Sequence, residues 1–311
     1  HEPYYALQQY WDRYRHDDIS LPDTPLQPEE ARGVHTTRML HHAVLIDSGI
    51  TDEHVRTARH GYLANVSYFD DMVGGLIGTL EDTGLLENTV IVVAADHGDM
   101  LGEHGLFYKK HFFEDCIRVP LIIHWPARFA PGHQSRPSSL LDLLPTLCDL
   151  AGLPLEDHAP HPLDGQSLVG ACEGDTADTA PPVYAEITSE GVPEPMFMVR
   201  NKQYKLLSGG DAPPVLFDLY NDPHERTDLA SDPAHADARR ELEALTQAQW
   251  DPDTLQTLVT ISQRQRRLVH AAQQNGKSPN WEHQPEDATT AWLHRGPEGY
   301  NEWAWKGIDE A

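Results

Sequence analysis

The 311-residue chain carries 49 Asp plus Glu against 23 Lys plus Arg, a formal net charge of −26 at pH 7. This balance argues against nucleic acid and anionic membranes as partners. No apolar run approaches the ~18 residues that a membrane span needs. Three widely spaced cysteines, Cys116, Cys148 and Cys172, argue against a disulfide framework and for a reducing, cytoplasmic location.

In chain order, residues 1–31 read as extended and Pro-rich (Leu21-Pro22-Asp23, Thr24-Pro25). A helix is predicted over about 32–48. A longer one follows over 52–84, opened by Thr51 or Asp52 and closed near Gly84. Val55, Ala58, Tyr62, Val66, Phe69, Val73, Leu76 and Leu80 recur at three- and four-residue spacing, which predicts a core-facing stripe. Strands are predicted at 89–95 and 120–125, and a helix from Leu140 to Leu150. The stretch 153–181 is a loop rich in Pro, Gly, Asp and Thr. Residues 182–187, 196–207 and 215–219 alternate as strands. Beyond Trp250 a helix is expected, with Leu255, Leu258, Ile261, Leu268 and Ala272 on one face and arginines on the other.

The most informative stretch is Val90 to Gly105, VIVVAADHGDMLGEHG. Its short β-branched run predicts a fully buried strand of a parallel sheet. In such folds ligands bind beyond the carboxyl ends of the strands. Asp96 and His97 stand there, a carboxylate oxygen beside an imidazole nitrogen, and Gly98 permits a sharp turn after them. Alone, the triplet also fits an ordinary strand-to-loop turn. The sequence continues through Lys109, Phe113-Glu114 and Arg118-Val119-Pro120 to another apolar run.

Over about thirty residues this resembles the sulfatases of the alkaline phosphatase superfamily. The resemblance implies an α/β fold, an alkaline-phosphatase-like mixed sheet between helices, with a small antiparallel C-terminal subdomain and a helical extension. It implies that Asp96 and His97 lie at a divalent metal, normally Ca2+, and that Lys109 contacts the sulfate. His1, in His1-Glu2-Pro3-Tyr4, matches the family histidine that points at the same group. The family nucleophile is a formylglycine made from Cys or Ser in Cys/Ser-x-Pro-Ser-Arg. No cysteine here has that context, so the chain is expected to be the C-terminal part of a longer enzyme and inactive by itself. Residues 1–160 would belong to the catalytic domain, 180–250 to the small sheet and 251–311 to the extension.

Residues 185–200 and the run from Ser262 to Val269, then Trp281-Glu282-His283-Gln284-Pro285, are similar to the choline sulfatases. The expected reaction is cleavage of choline O-sulfate to choline and sulfate. The alternatives are a phosphonate or phosphodiester hydrolase of the same superfamily, or a non-catalytic fragment. Glu190 is the candidate carboxylate for the quaternary ammonium, with a solvated loop role equally open. The tail departs from the choline-sulfatase pattern. Trp303 and Trp305 could supply an aromatic wall there, and a homo-oligomer through the tail is expected. The remaining partner is the small-molecule sulfate ester.

Overall fold

A computed structural model describes residues 3–153, 161–175, 180–274 and 276. His1, Trp303 and Trp305 lie outside the described residues, as does the segment Trp281 to Pro285.

Helix α1 spans Val34–His42 and buries Met39 and Leu40. It is shorter than the periodicity predicts. The Val44 and Leu45 amides turn back to the carbonyls of His41 (3.0 Å) and Leu40 (2.8 Å), and Val44 takes φ 56°. This is a Schellman ending built on a valine, so no glycine marks it. Helix α2 spans Asp52–Asp82. Thr51 and His54 form a reciprocal capping box at its start. Gly84, at φ 69°, closes its end through the same pair of bonds.

Only the first half of α2 is packed: Val55, His60, Gly61 and Ala64 are its buried residues. Of the predicted core stripe Val55 is buried and Ala58 and Tyr62 are partly covered, whereas Val66, Phe69 and Leu76 farther along are exposed among the described residues. The N-terminal segment covers the packed half. Trp11 stacks on His60 with ring centroids 3.6 Å apart. His60 Nε2 donates to the Trp11 carbonyl at 2.9 Å, and the two Nδ1 atoms of His60 and His16 lie 3.0 Å apart. His16 Nε2 reaches Glu53 at 2.8 Å, and this hydrogen bond holds the Glu53 carboxyl below its usual range. Both end partners are acceptors, so each ring donates outward through Nε2 and the two Nδ1 atoms face each other.

Strands β1 (Ile91–Ala94) and β2 (Leu121–His124) pair antiparallel, with Ile91 opposite His124 and Ala94 opposite Leu121. The apolar run predicts a parallel, fully buried strand. Its observed neighbour is antiparallel, and β1 is only half-buried. The helical turn from Leu140 continues into α3, Leu143–Leu150. Asp142 is a structural acceptor there, receiving the Ser139 and Gln166 amides at 2.9 and 2.8 Å.

The C-terminal sheet is an antiparallel meander: β3 (Val183–Ile187), β4 (Met196–Arg200), β5 (Tyr204–Gly209) and β6 (Val215–Asp218). The run 196–207 is two strands, because Asn201 Oδ1 accepts the Gln203 and Tyr204 amides and turns the chain. Helix α4 (Ala236–Gln249) covers one face, packing Leu242 on Val199, Leu206 and Leu216. The other face packs Met196, Met198, Leu207 and Phe217 on Met39, Leu40, Met100 and Phe112. Helix α5 (Pro252–Gln274) has no buried residue, and its Leu258, Ile261 and Leu268 are exposed.

Two buried polar assemblies join this sheet to the rest. Lys205 is fully buried; its Nζ donates to the Phe112 carbonyl (2.6 Å) and pairs with Glu114 (3.0 Å) and Glu225. Glu114 also holds Arg200 at 3.0 Å, and Glu225 accepts the Glu114 amide at 2.6 Å. Burial pushes the Glu225 carboxyl up to about 7 against the pull of Lys205. Beside it runs a column of stacked rings. His35 lies 4.5 Å from His111, His111 3.9 Å from Phe113, and His104 3.8 Å from Phe113. Burial holds His35 and His104 down at about 4 and His111 well below the usual imidazole range.

Lys205→Met should cost about 3–5 kcal/mol in urea unfolding, because it leaves buried carboxylates without their cation. Adding Glu225→Gln should restore part of the loss. Acidification should lower stability. A histidine with depressed folded pKa loses its contribution as pH falls from about 6.5 to about 4, up to about 3 kcal/mol for each of His35 and His104. Glu225 runs the other way: its contribution grows as pH falls from about 7 toward 4.5, and offsets one ring. Urea midpoints at pH 7 and pH 4.5 check the net fall.

Candidate active site

The loop after β1 is shaped by one close approach. The Gly98 amide donates to the Cys116 carbonyl at 2.7 Å, and a Cβ on Gly98 would stand 2.0 Å from the Asp115 carbonyl oxygen. Only glycine fits, so the chain leaves the strand end at a fixed angle. Asp96 and His97 precede that contact. Their side chains face each other, with His97 Nε2 3.6 Å from Asp96 Oδ2. The Asp96 carboxylate is exposed, and its Oδ1 accepts the His97 amide at 3.0 Å.

His97 Nδ1 lies 2.7 Å from the Gly98 carbonyl. A carbonyl only accepts, so Nδ1 carries the hydrogen and the Nε2 lone pair turns toward Asp96. A nitrogen lone pair beside a carboxylate oxygen fits a shared divalent cation, with the Gly98 carbonyl fixing the ring. These are two donors. Among the described residues no group of three His, Cys, Asp or Glu side chains could hold a metal. Ca2+ prefers oxygen ligands, whereas Mn2+ and Zn2+ accept a mixed nitrogen and oxygen set more readily.

The next segment, 99–110, is strained. Leu101, His104, Tyr108 and Lys110 take φ values of 44°, 53°, 67° and 85°. Such conformations concentrate at functional sites. The Gly-Glu-His-Gly motif anchors the loop. Glu103 accepts the Asp23 and Thr24 amides at 3.1 and 2.8 Å and pairs with Arg59 at 2.5 Å. Lys109 is half-buried at the end of this loop. Lys110 is held by Glu190, 3.2 Å away. The candidate ammonium partner Glu190 is therefore already paired, at an exposed turn where it takes φ 41°. The thiol of Cys116 is buried and pushed up by burial, which makes it a poor nucleophile.

Several contacts that hold this site are not legible in the sequence. The Gly98 contact and the Lys205, Glu225 and Arg200 ties to Glu114 depend on pairings across a long sequence separation. The Glu103 role had a signal in its motif, a carboxylate between two glycines that both take positive φ.

Residues 1–153 match the family model described as sulfatase, and 102–251 match that of the N-sulphoglucosamine sulphohydrolase C-terminal region. Residues 257–293 match the choline sulfatase enzyme C-terminal model. The chain belongs to the sulfatase family. Its fold is that of the alkaline-phosphatase-like hydrolases. It is 39% identical over 291 residues to a choline-sulfatase of Rhizobium meliloti (strain 1021), covering 92% of this chain and 56% of that protein. It is 34% identical over 191 residues to arylsulfatase K of Bos taurus, covering 58% and 35%. A phosphonate monoester hydrolase from Silicibacter pomeroyi superposes with TM-score 0.70 at 27% identity, over 80% of this chain and 53% of that one. That of Agrobacterium radiobacter shares the fold at TM-score 0.68 and 24% identity, over 80% and 54%. The chain thus spans about half the length of such relatives.

Gly98→Ala should lower stability by about 3 kcal/mol, at the upper end of what overpacking costs, because the obstacle is backbone and not a movable side chain. Urea denaturation of the variant checks this.

Proposed function

We propose that this chain carries part of the catalytic site of a sulfuric ester hydrolase acting on choline O-sulfate. The observation that carries the reading is the 39% identity to a choline-sulfatase over 92% of the chain. The match to the choline sulfatase C-terminal model supports it. Asp96 and His97 would hold a divalent cation, which would supply positive charge to polarise a sulfate oxygen. Lys109 places a compact positive charge against the same tetrahedral anion as charge develops on it. His1 is proposed as a sulfate contact on its sequence match to the family histidine alone. Attack on sulfur is not assigned to a residue of this chain, because no Cys or Ser in its sequence stands in the Cys/Ser-x-Pro-Ser-Arg motif.

Glu190 is the proposed partner of the trimethylammonium group, and it then exchanges the Lys110 ammonium for that of the substrate as substrate enters. A homo-oligomer in which an aromatic of the 292–305 tail contributes to choline recognition belongs to the same proposal. The three described cysteines are unpaired, which suits a reducing cytoplasm. No helix among the described residues is long and apolar enough to cross a membrane. The phosphonate monoester hydrolases favour a second reading, in which the attacked centre is phosphorus.

The test is a set of specificity constants for the full-length natural protein on choline O-sulfate, a neutral aryl sulfate and a phosphonate monoester. The choline ester should lead by about ten- to a thousandfold, a few kcal/mol of ammonium recognition. A leading phosphonate would select the second reading. Calorimetric titration with Ca2+ and Mn2+ should show binding that Asp96→Ala or His97→Ala weakens by at least about tenfold.

A further inference from the structure

Asp99 stands three residues after Asp96, and both of its carboxylate oxygens are engaged. Oδ1 accepts the amides of Leu101 at 3.2 Å and Tyr108 at 3.1 Å. Oδ2 accepts the hydroxyl of Tyr4 at 2.6 Å. The Leu101 contact alone would be an ordinary turn bond. The other two are not local. Tyr108 immediately precedes Lys109, and Tyr4 belongs to the segment that begins with His1. One half-buried carboxylate therefore ties together the stretch after Asp96 and His97, the residue before Lys109, and Tyr4 of the N-terminal segment.

The surroundings brace this node. Tyr4, Leu101 and Tyr108 all take positive φ, at 57°, 44° and 67°. Each is strained, and each donates to Asp99. The Met100 amide returns to the Tyr108 carbonyl at 2.9 Å, which closes the loop on itself. Behind Tyr4 the backbone of α2 comes so close that a Cβ on Gly61 would sit 2.4 Å from the Tyr4 carbonyl oxygen. Tyr62 packs edge-on against the Tyr4 ring, 6.2 Å between centroids. With three donors satisfied, Asp99 has little capacity left to bind a cation. Its geometry is that of a fixed acceptor.

We infer that Asp99 is a positioning residue: it sets where Lys109 projects relative to Asp96 and His97, and docks the Tyr4 segment against both. Tyr4 is its partner, reporting through one hydroxyl. The inference rests on the reading of Lys109 as the sulfate contact. It adds that the contact is aimed by Asp99 and not by the loop alone.

The experiment compares Asp99→Asn and Tyr4→Phe with the parent protein. Asn keeps the shape but cannot accept the Tyr4 hydroxyl hydrogen at its amide nitrogen; Phe removes only that hydroxyl. Acylation of Lys109 by a soluble amine reagent, read by mass spectrometry against Lys202 as reference, should rise about fivefold or more in both variants, as local opening of the loop allows. In the full-length natural protein kcat on choline O-sulfate should fall about 10- to 100-fold with KM within about threefold, the size of effect expected for an outer partner of a site. The double variant should be less than additive. Lys109 acylation at the parental rate in both variants would overturn the inference. If acylation rises while the parent protein hydrolyses no sulfate ester, the node stands and the sulfatase reading falls. Should Asp99→Asn fail to fold, Tyr4→Phe carries the same test.

Discussion

A single buried ammonium group organises this molecule. Lys205 sits with no solvent exposure between the carboxylates of Glu114 and Glu225 and the carbonyl of Phe112. A lone cation there would be untenable, since ionised groups leave water only when paired and hydrogen-bonded. Its three acceptors come from the segment 112–114 and the turn at 225, so satisfying Lys205 docks β5 on the loop that follows the candidate site. The same segment supplies Phe113 to the ring column, and Cys116, two residues beyond it, makes the Gly98 contact. The geometry of Asp96 and His97 is thus inherited from an ion cluster in another part of the chain.

The ring column has a complementary role. His35, His104 and His111 are buried where charge is unwelcome, and each stays neutral. Neutral imidazoles stack like other aromatics but retain polar edges. His111 shows the benefit, receiving the Phe113 amide at 3.2 Å while its other nitrogen faces Thr36 at 3.3 Å. A phenylalanine there could fill the space but could not accept that amide.

What could be read in the sequence follows from what is local. The capping box at Thr51 and the glycine ending at Gly84 are encoded within a turn of the helix they bound, and α2 runs from Asp52 to Asp82 accordingly. The end of α1 was illegible because Val44 does the work that glycine usually does. The strand 91–94 was legible from its β-branched run, but its pairing direction was not, since periodicity says nothing about the neighbour. Helix α4 carried no motif and went unread, although its Ala-, Arg-, Glu- and Leu-rich composition favours a helix. In the candidate site, Asp96, His97 and Lys109 were visible as motif letters. Asp99 was not, because its importance lies in contacts with Tyr4 and Tyr108 that only folding creates.

Several cations of this chain end within the fold, while Arg13, Arg38, Arg128 and Arg240 pair with carboxylates at the surface. Arg59, Arg200, Lys205 and Arg226 end on carboxylates or carbonyls of the fold: Arg59 on Glu103, Arg200 and Lys205 on Glu114, and Arg226 on the Asp23 carbonyl at 2.7 Å. Many carboxylates at the surface are left without nearby compensation, and their mutual repulsion works against the compact state. Dissolved monovalent salt screens that repulsion over roughly 10 Å at 0.1 M, while the internal pairs, shielded from ions, are untouched. Ionic strength therefore acts on this protein as a stabilising solvent variable, the reverse of its effect on a fold held by surface ion pairs.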